Sequence, residues 1–313
     1  MSLTEYSKTH LPIYPEFAEL WSKHEAIHWI PEEVNLSNDV EQWKTKVSPA
    51  EKSLIKNILR LFTTSDFVVA AGYLDRIIPH IKNSEARIML TSFANREAVH
   101  IFAYALLSDT LGFEEDFYFE FLDYAEMSEK VEFMIAPSGD SPEEFAKYLA
   151  RQTLIEGVNL FASFACLLNF DRFGLFPGMT DVVSWSIADE AQHVEGNSML
   201  FKKYVEEHPY IVNDDFKKSV YETAERLVEI EDAFINKSYE FGEVRGLQSS
   251  ELKEYVRYIT NQRLLRLGFK KIFDIEENPI PWIDALQVDS HGSFFERNVV
   301  EYSADNLKGT WTY

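Results

Sequence analysis

The chain has 313 residues, 46% of them hydrophobic and 26% charged, which is enough apolar material for one large core and too much for a disordered polymer. Thirty basic against 52 acidic residues leave a net charge of −22, so phosphate backbones and anionic lipid repel it, and neither nucleic acid nor a membrane is expected as a partner. Cys166 is the only cysteine, which excludes an internal disulfide framework and any multi-cysteine zinc or iron–sulfur site and suits a reducing cytoplasm.

Residues 1–47 are polar and punctuated by proline, without a signal-peptide pattern or sustained periodicity, and read as an N-terminal arm. Ser48-Pro49-Ala50-Glu51 combines a capping box with proline at the first helical position and opens a helical pattern running to Pro79. A second helix is expected from near Ser84 to just before Gly112, and acidic, aromatic short helices from Phe113 to Pro137. Ser141-Pro142-Glu143-Glu144 repeats the start signal for a third helix reaching about Asp171. A fourth runs from about Met179 to Glu207, a fifth from the Asn213 cap to about Val244, and a sixth from Ser250 to near Phe273. From about 278 to 313 the periodicity fades into a C-terminal arm. Apolar stretches are broken by charges every few positions, so no membrane span is expected. The prediction is all-α: residues 1–313 as a single domain, a bundle of rods roughly 40 Å long.

Ionisable groups fall in line with the apolar contacts. The inward stripe of the second helix passes through Met89, Phe93, Glu97, His100, Tyr104 and Leu107, and that of the first through Leu59, Phe62, Asp66, Val69 and Tyr73. Gln152, Glu156, Leu160 and Phe164 share a face in the third helix; Val183, Ser186, Glu190 and His193 share one in the fourth. Twice, therefore, a helix with a lone carboxylate is followed by one carrying Glu-x-x-His. Four buried carboxylates are expensive to ionise alone. Asp66, Glu97, Glu156 and Glu190 carry −4 and neutral His100 and His193 carry nothing, so two divalent cations balance the set. Mixed carboxylate and imidazole donors suit two iron or two manganese ions per chain, iron first.

About one Glu-x-x-His is expected by chance, and three occur. Glu25-Ala26-Ile27-His28, outside the long helices, is taken as the chance match. His10, His24, His80, His208 and His291 read as surface or capping groups, Cys166 as a small buried hydrophobe, and Glu222, Glu225, Glu229 and Glu231 as solvated charge.

This ligand set is similar to that of ferritin-like di-iron and di-manganese bundles, which carry Glu where Asp66 stands. Together with Glu97-Ala98-Val99-His100-Ile101-Phe102-Ala103-Tyr104 and Trp185-Ser186-Ile187-Ala188-Asp189-Glu190-Ala191-Gln192-His193, it resembles the small, radical-generating subunit of class I ribonucleotide reductase. Trp29-Ile30-Pro31-Glu32-Glu33, Asn278-Pro279-Ile280-Pro281-Trp282, Phe294-Phe295-Glu296 and Glu301-Tyr302-Ser303 extend the likeness over about residues 15 to 313.

The resemblance implies that Asp66, Glu97 and His100 bind one metal and Glu156, Glu190 and His193 the other, with Glu97 and Glu190 able to bridge. It implies that the centre oxidises Tyr104 to a stored radical, inside an apolar pocket that includes Leu160 and Phe164. The oxidising equivalent would pass by way of Trp29, Asp189 and Tyr302 to a separate large subunit, which holds the ribonucleotide. Asp189 would also hydrogen-bond a ligand histidine. The tail from Ser303 to Tyr313, with Trp311 and Tyr313 at its end, would dock in that subunit, and the chain would form a homodimer through its long helices. Two departures stand out: Ala188 where the family commonly has Arg, and Ser186 where the radical pocket is usually apolar. Two other tasks suit the same residues, a di-metal oxidase or oxygenase acting on its own ligand and a metal-storage bundle.

Overall fold

The structure is a computed structural model that describes residues 2–6, 13–136 and 139–284, apart from the side chains of Phe121 and Leu122. Tyr302, the terminal tail, His10 and His291 lie outside the described residues.

In chain order the helices are α1 (Pro15–Ala26), α2 (Ser37–Thr45), α3 (Pro49–Ala71), α4 (Ser84–Thr110), α5 (Asp116–Phe119), α6 (Ala125–Ile135), α7 (Pro142–Leu154), α8 (Leu160–Leu168), α9 (Pro177–Glu207), α10 (Asp214–Ser238) and α11 (Ser249–Leu267). No strand occurs among the described residues, and the fold is a long-helix bundle of the ferritin-like kind. Helix α4 packs between α3 and α9, α7 and α8 pack on α9, and α10 and α11 close the far side. The core is continuous from Leu54 and Phe62 through Phe93, Phe164 and Leu200 to Val256.

The expected caps start the rods. Ser48 Oγ accepts from Glu51 N at 3.2 Å while the Glu51 carboxylate accepts from Ser48 N at 2.7 Å, a complete capping box. Asn83, Ser141 and Asn213 each accept from the backbone N–H three residues on, satisfying donors that the first turn leaves orphaned. Helix α9 is capped from elsewhere in the chain. Asp39 of α2 accepts from Gly178 N at 3.1 Å and Met179 N at 2.8 Å, placing a carboxylate at the positive end of a 31-residue helix.

Four expectations need correction. The first 47 residues contain two regular helices, α1 and α2, held by a few buried contacts such as Phe17, Leu20 and Trp43. The tract opened at Ser141 widens into a π-type turn at Ile155–Asn159, and α3 runs into a similar turn at Gly72–Ile77. The fifth helix ends at Ser238, where a turn closed by Gly242 N on Tyr239 O uses the left-handed φ of 114° that glycine permits. Finally, residues 142–173 are long and apolar enough to cross a membrane, yet their apolar window is entirely buried inside the bundle.

Candidate metal centre

Each ligand candidate sits on a rod whose other contacts are fixed by packing. Asp66 comes from α3, Glu97 and His100 from α4, Glu156 from the widened turn between α7 and α8, and Glu190 and His193 from α9; all six are buried. One ligand atom from each of Asp66, Glu97 and His100 lies within 4.8 Å of the others, and the same holds for Glu97, Glu156, Glu190 and His193. The two sets share Glu97. The π-type turn places Glu156: its extra residue rotates the carboxylate toward the neighbouring helices, and the carbonyl of Gly157 in this turn is met by Arg263 Nε at 2.9 Å. A Cβ at Gly157 would lie 2.7 Å from that Arg263 nitrogen, so the position requires glycine.

Both imidazoles present Nδ1 to the carboxylates. His193 Nδ1 lies 3.0 Å from Glu97, 3.4 Å from Glu190 and 3.5 Å from Glu156; His100 Nδ1 lies 3.4 Å from Glu190 and 3.6 Å from Glu97. Both oxygens of Glu97, both oxygens of Glu190 and His193 Nδ1 lack a hydrogen-bond partner. Orphaned anionic oxygens converging on two points are the donor set that a pair of hard divalent cations satisfies, so these residues fit iron or manganese.

Burial and mutual charge shift these groups in different directions. Burial drives the Asp66 carboxyl well above its usual range, with the Glu97 charge adding to it, and burial pushes Glu156 up to about 7. Burial would lower both histidines, but the carboxylates around them, Asp189 first for His100 and Glu190 first for His193, outweigh it and raise them well above the ordinary imidazole value. Glu97 is the exception: against burial, His100 and His193 draw it down to about 2.

A second layer holds these ligands. Trp29 Nε1 donates to Asp189 Oδ2 at 2.8 Å, and the same oxygen lies 3.1 Å from His100 Nε2, so Asp189 does meet a ligand histidine. Tyr73 donates to Glu156 Oε2 at 2.6 Å, Asn197 donates to Tyr73 and to that same oxygen, and Gln152 donates to Glu156 Oε1. Tyr104 is 1% exposed, its ring 4.6 Å from Phe62, which in turn is 5.1 Å from Phe164; Leu160 is buried nearby on α8. Burial raises the Tyr104 phenol well above 10, Ser186 opposes that shift, and the charges of Asp66, Glu190 and Glu97 add to it. Ser186 itself donates to Val182 O at 2.9 Å, which tempers the polarity it brings to the pocket.

Sequence reasoning missed two residues here. His24, expected at the surface, is fully buried, its Nε2 3.3 Å from His193 Nε2 and 3.5 Å from Asp189; burial, followed by His193 and Arg96, pushes its pKa far down and keeps the ring neutral. Arg96, on α4, lies 3.4 Å from Asp189 Oδ1 and is its buried guanidinium partner. Its place one residue before Glu97 is the only sequence signal it gives. Glu25 and His28 are both exposed, away from the buried ligand candidates.

The sequence profile of the family described as "Ribonucleotide reductase, small chain" matches residues 10–279. The chain belongs to that family. A probable ribonucleoside-diphosphate reductase small subunit of Invertebrate iridescent virus 3 is 38% identical over 96% of this chain and 85% of its own length. The ribonucleoside-diphosphate reductase subunit beta of Chlamydia pneumoniae is 29% identical over 90% of this chain and 86% of its own. Among solved structures, the ribonucleotide reductase R2 subunit from Clostridium botulinum superposes with a TM-score of 0.83 at 19% identity, covering 88% of each chain. Dimanganese(II)-NrdF of Streptococcus sanguinis superposes with a TM-score of 0.77 at 18% identity, over 91% of this chain and all of the other. The ribonucleotide reductase small chain described here is thus an oxidoreductase subunit with the fold of its family.

Proposed function

We propose that this small chain generates and stores the radical for ribonucleotide reduction: two iron or manganese ions held by Asp66, Glu97, His100, Glu156, Glu190 and His193 serve to oxidise Tyr104. The observation that carries this reading is a fully buried phenol lying beside two overlapping sets of convergent ligand atoms, in which the carboxylates of Glu97 and Glu190 and His193 Nδ1 have no hydrogen-bond partner. Bound and raised in oxidation state by dioxygen or another external oxidant, the ions would supply the one-electron oxidising power; everything else falls to side chains. Phe62 and Phe164 keep water from the Tyr104 ring, and Asp189 holds His100 with Nδ1 toward the carboxylates. The Trp29–Asp189–His100 hydrogen bonds form an unbroken link from the N-terminal segment to the centre and support Trp29 and Asp189 as transfer residues, with Tyr302 continuing the route.

The large subunit is the proposed partner, engaged through the C-terminal tail. Two copies of this chain would pair through the long helices, a reading supported by exposed apolar side chains Ile88, Phe102 and Leu106 along α4 and Phe67 on α3. The cytoplasm is the proposed compartment, in keeping with the single buried thiol, Cys166, which burial pushes up to about 12.

Loading with ferrous iron and dioxygen, or with manganese and a stronger oxidant, should give a tyrosyl signal in electron paramagnetic resonance. Tyr104→Phe should keep the metals and lose the signal. Bound metal without a signal in either regime, or a signal that survives Tyr104→Phe, would overturn the assignment.

A further inference from the structure

His100 and His193 are held from behind in different ways. His100 Nε2 meets a carboxylate, Asp189, at 3.1 Å; His193 Nε2 meets a second imidazole, His24, at 3.3 Å. If His193 binds a cation through Nδ1, its Nε2 must carry the proton and needs an acceptor. His24 Nε2 can accept only if its own proton sits on Nδ1. That atom lies 2.7 Å from Ser92 Oγ, and Ser92 in turn donates to Glu25 Oε1 at 2.5 Å. Asp189 Oδ1, at 3.5 Å from His24 Nε2, is farther than His193 and makes no hydrogen bond with it, so the donors and acceptors along this line take one consistent direction, from His193 through His24 and Ser92 to Glu25. The line ends in a surface groove of about 760 Å³ lined by Trp21, Glu25, Lys82, Arg87 and Ser92, so the terminal carboxylate faces solvent.

We propose that His24 is a positioning residue for His193, fixing its ring orientation and tautomer through the Ser92–Glu25 pair, and that it makes the two cation positions unequal. The proposal rests on the metal-centre reading above. An anionic acceptor raises the basicity of the histidine it holds more than a neutral one does. The position served by His100 therefore binds its ion more tightly than the position served by His193, and His24 governs the weaker one.

Anaerobic titration of the metal-free full chain with Mn(II), following free ion by electron paramagnetic resonance, tests this. The unaltered chain binds two ions with different affinities. His24→Phe weakens one of them by about 10–100-fold, the usual cost of removing a ligand's hydrogen-bond partner, and leaves the other within a few-fold. His24→Gln restores most of the loss, because an amide oxygen can accept from His193, whereas a purely space-filling role would be served as well by Phe. Equal binding of both ions by His24→Phe, or equal weakening of both, overturns the proposal. Failure of the unaltered chain to bind two ions would instead remove the metal-centre reading itself. A second readout needs no variant: with zinc as a diamagnetic probe, imidazole nitrogen resonances should place the His24 proton on Nδ1 and the His193 proton on Nε2. A proton on His24 Nε2 contradicts the proposal.

Discussion

Two buried polar regions of this molecule face the same difficulty and meet it in opposite ways. At the metal centre Glu156 is fully buried and its carboxyl is pushed up to about 7; between α6 and α10 Glu231 is fully buried and is also pushed up to about 7. Glu231 has its own countercharge, Lys130 Nζ at 2.8 Å, itself fully buried and resting 4.0 Å from the centre of the Phe234 ring. Among the described residues the four carboxylates of the centre have no lysine or arginine partner: Arg96 pairs with Asp189, leaving two imidazoles. A buried carboxylate paired within the chain is a structural feature. Four of them converging without a fixed cation indicate a charge that arrives from outside.

The contrast can be broken first at the self-sufficient pair. Lys130→Met leaves Glu231 uncompensated in the core and should cost about 3–5 kcal/mol in urea unfolding, whereas Lys130→Met with Glu231→Leu should recover most of it, because an apolar pair needs no countercharge. Neither change should alter metal stoichiometry. At the centre the pattern inverts: Glu190→Gln should leave the metal-free protein folded but reduce binding of the ion pair by more than the roughly 10–100-fold typical of outer-layer changes, as measured by competition with a chelator.

Metal removal sharpens the comparison further. In the metal-free protein Asp66, Glu156, His100 and His193 all bind protons more tightly folded than unfolded, so their contribution to stability is present at low pH and is lost as pH rises. For Glu156 the window runs from the ordinary carboxyl value of 4.5 to about 7, and the histidines extend it upward from 6.5. Glu97 has the opposite sign, losing stability as pH falls toward about 2, outside that window. Thermal melts should therefore show the metal-free form weakening from about pH 5 upward while the loaded form does not, with protons released on loading. The smallest effect is steric. A Cβ at Gly196 would lie 2.6 Å from the Phe93 ring, which packs 4.4 Å from the His193 ring, so Gly196→Ala should cost about 1–3 kcal/mol and disturb the His193 position more than the His100 position.

The rods and the convergence of the six ligand candidates were legible because they depend on local repetition: caps at Ser48, Ser141 and Asn213, and carboxylates recurring at helical steps among apolar residues. Glu231 was misread as solvated although Ala224, Leu227, Val228, Phe234 and Ile235 put it on the buried face of α10. Its partner, Lys130, lies a hundred residues away in a short helix, so the sequence showed an expensive burial with no remedy in view. His24 was hidden for a similar reason. Helix α1 buries only Phe17, Leu20 and His24, too few for a stripe, and the groups that satisfy His24 come from α4 and α9. The π-type turn at Glu156 leaves no mark that composition or period reveals. Tyr302 and the tail remain sequence-based proposals outside the described residues.

Diffraction from crystals of the loaded protein at the manganese or iron absorption edge addresses the central claim most directly. Two anomalous peaks per chain are predicted, one among Asp66, Glu97 and His100 and one among Glu97, Glu156, Glu190 and His193. A single peak, none, or peaks held by other residues would contradict it.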